Sequence, residues 1–128
     1  MSDTLDIKSI GQIAVAISNL DESIYFYEKI LKLRLLFQSP PDLAFFECGG
    51  VRLMLTTQQG NEEDHQTSVI YYRLSDIEQV FDELHSLQVG IERKPAKVAD
   101  MEDHTLWIGF IRDPDGNLVG LMEEKPLS

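Results

Sequence analysis

The chain has one cysteine, Cys48, in 128 residues. A lone thiol excludes an internal disulfide and a cysteine-built zinc cluster, and it points to a reducing compartment, the cytoplasm. Positive charge is scarce: Lys and Arg number 11 against 22 Asp and Glu, a formal net charge of −11. Nucleic-acid affinity rests on clustered Lys and Arg, so this balance excludes a phosphate-backbone partner. It suits solubility, the plainer reading, and would help to attract a cationic ligand. No apolar run is long enough to cross a bilayer, so no membrane partner is expected. Met1 to Lys8 lacks a basic start followed by an apolar stretch, so no secretory signal is expected. No nucleotide-phosphate loop, nucleophile triad or covalent-cofactor lysine motif is present.

What is there reads as one folded domain. Hydrophobic residues make up 43% and charged residues 26%, which is enough apolar material to exclude wholesale disorder. A chain of this length buries roughly two-thirds of the surface its unfolded form exposes, so it needs no staples.

The pattern along the chain repeats once. Ile10 to Ile17 is rich in β-branched residues and predicts a strand. Asn19 and Glu22 predict a capping box, and Leu20, Ile24, Tyr27 and Leu31 form a helical apolar stripe. Leu33 to Gln38 predicts a strand, and Ser39 to Asp42, with two prolines, a loop. Leu43 to Cys48 and Val51 to Thr57 predict a hairpin turning at Gly49-Gly50. Residues 58–67 contain no large apolar side chain and form the internal linker. The order then recurs, with a strand over Ser68 to Leu74 and a second capping box at Ser75 to Glu78. Ile77, Val80, Phe81, Leu84 and Leu87 form the second helical stripe, with Gly90 as its stop. Ile91 to Ala99 predicts an irregular strand interrupted by Pro95. Thr105 to Ile111 and Leu118 to Glu123 predict a last hairpin turning over Asp113 to Asn117.

Ile17-Ser-Asn-Leu-Asp21 aligns with Leu74-Ser-Asp-Ile-Glu78 at an offset of 57 residues. Each half is then a βαβββ module, the first over 8–57 and the second over 68–124. Neither module buries both faces of its sheet alone. The expected architecture is α+β, with two paired modules forming a curved, cup-like mixed sheet and the helices outside.

Three stretches carry a resemblance over residues 8–124. They are I-G-Q-I-A-V-A-I-S-N-L-D-E-S-I-Y-F-Y, F-F-E-C-G-G-V-R-L-M-L and I-R-D-P-D-G-N-L-V-G-L. In this order the chain resembles the vicinal oxygen chelate superfamily, which includes glyoxalase I, extradiol dioxygenases, methylmalonyl-CoA epimerase, and fosfomycin- and bleomycin-resistance proteins. More narrowly it is similar to bacterial glyoxalase-like proteins with a D-H-x-L-W motif, here Asp103 to Trp107. The resemblance implies one divalent metal held by four side chains at the bottom of the cup. Carried onto this chain, those positions fall on Gln12, Met54, Val69 and Gly120, where the family pattern has His, Glu, His and Glu. Val and Gly offer no donor, a thioether suits soft cations, and Gln is a weak neutral ligand. No metal and no other cofactor is therefore expected.

Side chains two apart on a strand share a face, so Gln12 in the cup brings Ala14 and Ala16 with it. Met54 brings Arg52 and Thr56, Val69 brings Tyr71 and Arg73, and Gly120 brings Met122. The neighbouring strand adds Trp107 or its neighbours of opposite parity. The expected ligand-binding set is Gln12, Met54, Val69, Tyr71, Arg73, His104, Trp107 and Gly120. Each also has a plainer reading. Gln12 hydrogen-bonds backbone, Met54 and Met122 fill core, and Tyr71 and Trp107 belong to the core. Arg52 and Arg73 pair with carboxylates such as Glu47, and Cys48 is an inert buried thiol.

Among the histidines, His85 lies off the helical stripe and faces solvent. His65, with Glu62, Glu63 and Asp64, is a solvated loop or a surface cation site. His104 lies in an acidic loop before a strand. It is the candidate acid, base or relocated-metal ligand with Glu102 or Asp103, or else a locally bonded loop residue.

The leading expectation is a homodimer that binds a small organic molecule without the usual metal. One alternative is a lyase, isomerase or dioxygenase-type enzyme with a site rebuilt from Gln12 and His104. Another is a scaffold or regulatory domain acting through its dimer surface.

Overall fold

In a computed structural model of the chain, residues 8–57 and 68–127 are described. The chain divides into two units, Met1–His65 and Gln66–Ser128. The linker 58–67, with Glu62, Glu63, Asp64 and His65, lies outside the described residues.

The first unit runs β1 (Gln12–Ala16), α1 (Leu20–Ile24), β2 (Arg34–Ser39), β3 (Leu43–Cys48) and β4 (Val51–Thr56). Its strands lie in the order β1-β4-β3-β2, with β1 parallel to β4 and the rest antiparallel. Asn19 caps α1 as its sequence predicts: its Oδ1 accepts the Glu22 N–H at 3.0 Å. α1 then passes into a π-helical turn over Tyr25–Ile30, closed by the Leu31 N–H on the Phe26 carbonyl at 2.9 Å. That wider turn corrects the expected stripe. Phe26 and Tyr27, consecutive in sequence, both turn inward and meet edge to face at 5.2 Å, while Leu31 is only half-buried. Tyr27 lies 6.2 Å from the Phe46 ring, which fixes the helix side of the sheet. On that side Ala44, Phe46, Leu53 and Leu55 are almost wholly buried. Each large apolar side chain there contributes roughly 1.5–3 kcal/mol relative to exposure.

The second unit repeats the order with β5 (Ile70–Arg73), α2 (Ile77–Ser86), β6 (Ile91–Asp100), β7 (His104–Arg112) and β8 (Leu118–Pro126). Its strand order, β5-β8-β7-β6, is that of the first unit. The register repeats as well: Ala14 stands opposite Met54, and Tyr71, 57 residues after Ala14, stands opposite Gly120. The fold is α+β, built from two βαβββ modules.

Two helix signals differ from their sequence reading. Ser75 to Glu78 forms no capping box. Asp76 is the N-cap residue, at φ 56°, and its side chain makes no cap bond. The Ile77 N–H is instead satisfied by Glu123 Oε1 of β8 at 2.9 Å. At the other end Gln88, not Gly90, takes the left-handed position, at φ 63°. Gln88 N–H bonds the His85 carbonyl and Val89 N–H the Leu84 carbonyl, a Schellman closure. Leu87 is consequently exposed, while Ile77, Phe81 and Leu84 form the buried stripe. Gly109 on β7 lets the Phe81 ring lie flat on the sheet, because a Cβ there would stand 2.5 Å from Phe81 Cζ.

The last hairpin turns where the sequence places it. Asp113, 5% exposed, accepts the Asp115 and Asn117 N–H groups on Oδ1 at 2.9 and 2.8 Å. Its Oδ2 accepts Asn117 Nδ2–H at 2.9 Å. β6 is irregular, with three register shifts against β7. Among the described residues no helix is long and apolar enough to cross a membrane.

Candidate functional site

Among the described residues each sheet has a face opposite the helix of its own unit, and strand alternation decides what stands on it. In the first unit Gln12, Arg52 and Glu47 share one ladder row, and Ala14, Met54 and Phe45 share another. Arg34 and Phe37 of β2 continue these rows beside Glu47 and Phe45. The Gln12 amide joins two of its neighbours. Its Oε1 accepts Arg52 Nε–H at 2.8 Å and its Nε2 donates to Met54 Sδ at 3.4 Å. The Arg52 guanidinium lies over the Phe45 ring, 5.2 Å from its centroid, and Phe37, 60% exposed, tilts against Phe45 at 6.3 Å. Glu47 does not pair with Arg52 here; it turns to the hairpin and accepts the Gly50 N–H at 2.6 Å.

The second unit's helix-free face carries Tyr71, Arg73, Phe110, Gly120, Met122, Glu124 and His104. The Tyr71 ring lies against Gly120 and meets Phe110 edge to face at 5.7 Å. Arg93 of β6 lies over Phe110, 5.6 Å from the centroid. His104 is in β7 rather than in the preceding loop, because its strand pairs from His104 opposite Pro126 onward. Its Nδ1 is 2.6 Å from Asp103 Oδ1 and its Nε2 is 3.7 Å from Glu124 Oε2. An ionised carboxylate only accepts, so Nδ1 carries the proton. That hydrogen bond, and secondarily the charge of the ring, hold the Asp103 carboxyl below the ordinary carboxylate range. Glu124 Oε1 also meets Arg73 Nη1 at 3.4 Å, so Arg73 has the carboxylate partner its sequence reading allows.

Trp107 stands apart from this group. Odd-numbered residues of β7 face α2, and there the ring donates to Thr105 Oγ1 at 3.0 Å and lies under Lys125 Nζ, 4.1 Å from the centroid. Val69 precedes β5 and is exposed. His85 is exposed.

The four positions of the family's metal do not supply its ligands. Met54 offers sulfur already engaged by Gln12, and Val69 offers none. Gly120 has no side chain, and the space above it holds the Tyr71 ring. Among the described residues no three His, Cys, Asp or Glu side chains converge as a metal site. The residues present do not fit the divalent metal.

Sequence reading missed Glu124, because it ended β8 at Glu123; the alternation Gly120, Met122, Glu124 carries the signal. It also missed Phe45, Phe110 and Arg93. The two phenylalanines stand in ladder rows with Met54 and Gly120, two of the expected contacts.

Comparison with known proteins identifies the family and the fold. The family described as Glyoxalase/Bleomycin resistance protein/Dioxygenase superfamily matches residues 9–121. An uncharacterised Bacillus subtilis protein, YraH, is 24% identical over 121 residues, covering 84% of this chain and 92% of its own. The lactoylglutathione lyase of Agrobacterium tumefaciens superposes with a TM-score of 0.74 at 20% identity, over 92% of this chain and 95% of that one. A glyoxalase/bleomycin resistance protein/dioxygenase from Alicyclobacillus acidocaldarius gives 0.69 at 16% identity, over 91% of each. At these identities the structures share the fold alone, but the family match spans nearly the whole length, and the chain belongs to the Glyoxalase/Bleomycin resistance protein/Dioxygenase superfamily.

Proposed function

We propose that residues 8–124 act as one glyoxalase-like domain that binds a small organic molecule on its helix-free sheet faces, without the superfamily's divalent metal. The observation that carries this reading is Gly120. Where the family pattern has a carboxylate, this chain has no side chain and a tyrosine ring in its place. The chemistry named for the Agrobacterium protein is therefore not carried over. What the faces offer instead is contact area with few polar points. Tyr71 is 46% exposed, Phe37 60%, and Met54 and Phe110 are half-covered. Such surfaces favour flat or amphiphilic ligands oriented by a few hydrogen bonds. From the expected set we retain Gln12 and Met54 on the first unit's face and Tyr71, Arg73, His104 and Gly120 on the second's, and add Phe45 to the first and Phe110 to the second. Trp107 and Val69 are left out.

We further propose a homodimer in the cytoplasm. Edge strands β1, β2, β5 and β6 leave backbone groups for a second copy to cover. The compartment rests on the lone Cys48, whose thiol is pushed above its ordinary value by burial and, less strongly, by Glu47.

A melting-temperature screen of tag-free protein against drugs and metabolites tests the binding reading. Saturable stabilisation by an organic molecule with no added metal supports it. No stabilisation across a broad library contradicts it. Sedimentation of a monomer at micromolar concentration contradicts the dimer.

A further inference from the structure

In this strongly acidic chain the arginines are placed with a bias. All five are on strands, and each stands at a ladder position of a helix-free face: Arg34 and Arg52 in the first unit, Arg73, Arg93 and Arg112 in the second. Arg73 pairs with Glu124 and Arg112 with Glu92. Arg34, Arg52 and Arg93 have no carboxylate within ion-pair distance among the described residues. With 17 acidic residues among those described, that is not for want of partners.

Two of the three are held in the same way. Arg52 covers Phe45 and Arg93 covers Phe110. Phe45 stands opposite Met54 and Phe110 opposite Gly120, equivalent rows of the two modules, although the arginines come from different strands, β4 and β6. Gln12 fixes Arg52 further by accepting its Nε–H at 2.8 Å, which leaves the two Nη groups for another acceptor. A planar guanidinium so placed matches a carboxylate with two parallel hydrogen bonds. The exposed Phe37 beside Phe45, and Tyr71 beside Phe110, extend the aromatic surface next to each cation.

We infer that the ligand is a planar aromatic anion, its ring laid beside Phe45 or Phe110 and its negative group taken by Arg52 or Arg93. This deepens the binding reading above and rests on it. It also reverses the expectation from net charge. The overall −11 acts at long range and is screened within about 8 Å in physiological salt. The charges a bound molecule meets are the local ones, and on these faces they include guanidinium groups that have no carboxylate partner among the described residues.

Calorimetric titration of the tag-free full chain with naphthoate, naphthamide and naphthylmethylammonium tests this. Naphthoate is expected to bind at least about tenfold more tightly than the neutral amide, with the ammonium weakest and the naphthoate affinity falling with salt. Arg52→Gln and Arg93→Gln each weaken naphthoate several-fold, and together by more than about tenfold. Both side chains are exposed, so the melting temperature stays near that of the parent. Equal binding of the amide or the ammonium, or a double variant that keeps naphthoate affinity, overturns the inference and leaves the wider binding reading intact. Failure of all three probes at millimolar concentration also overturns it, while the library screen still decides the wider reading. A changed sedimentation coefficient in Arg52→Glu would assign the face to a second copy of the chain and overturn the inference as well.

Discussion

The Tyr71 ring lies against the backbone of Gly120, so close that a Cβ at residue 120 would stand 2.5 Å from Tyr71 Cδ2. The two residues face each other across the parallel β5–β8 ladder. The ring therefore occupies the place from which a ligating carboxylate would project.

Restoring that carboxylate should not restore a metal site. Gly120→Glu must displace the ring, and overpacking of this kind costs about 1–3 kcal/mol. Adding Tyr71→Ala should recover part of the loss. Urea unfolding measures both effects. Neither variant should gain a nickel- or zinc-dependent rise in Tm.

The α2 N-terminus gives a second prediction. Glu123→Ala removes the acceptor of the Ile77 N–H and a negative charge from the positive end of the helix, at a cost of about 1–2 kcal/mol. Ser75→Ala should be nearly neutral, because Ser75 is not the cap. Equal losses for the two would contradict the geometry.

That contrast shows where sequence reading stopped. Features set by neighbours within a few residues were legible: the Asn19 cap, the Gly49-Gly50 hairpin, the Asp113 turn and the two-residue alternation behind Gln12 and Met54. Features set by residues far along the chain were not. Glu123 caps a helix 46 residues before it, and the Ser75-to-Glu78 pattern competed with it locally. The π turn that brings Phe26 inward beside Tyr27 departs from the 3.6-residue period that the expected stripe follows. Trp107 needed the parity of β7, which Gly109 fixes by facing Phe81. The arginine–phenylalanine pairs needed a strand register that alternation alone does not supply.

The Asp113 turn should resist change. Its buried carboxylate satisfies two backbone N–H groups and the Asn117 amide, so Asp113→Ala leaves three turn donors without their acceptor. A loss of roughly 2–3 kcal/mol is expected in denaturant unfolding. Asp113→Asn keeps one acceptor oxygen and should lose less.

Cys48 should alkylate slowly. Burial first, and the neighbouring Glu47 second, push its thiol above the ordinary value. At neutral pH iodoacetamide should therefore react more slowly with the folded protein than with free cysteine, and at the ordinary rate in urea. Fast labelling of the native chain would contradict this placement.

Asp103 sets an acid-side dependence. Its carboxyl is held below the ordinary range by His104, so it binds its proton more weakly folded than unfolded. The stabilisation is present above the ordinary carboxylate pKa and is lost as pH falls through the depressed one. Carboxyl-detected NMR titration should show the lowered midpoint, and His104→Ala should return it toward normal.

The most direct test of the account is a calorimetric titration of tag-free protein with nickel, zinc, manganese and iron(II), with metal content measured on the same sample. No stoichiometric metal and no saturable heat are expected, because Met54, Val69 and Gly120 supply none of the donors such an ion needs. One equivalent of tightly bound metal per chain would contradict it.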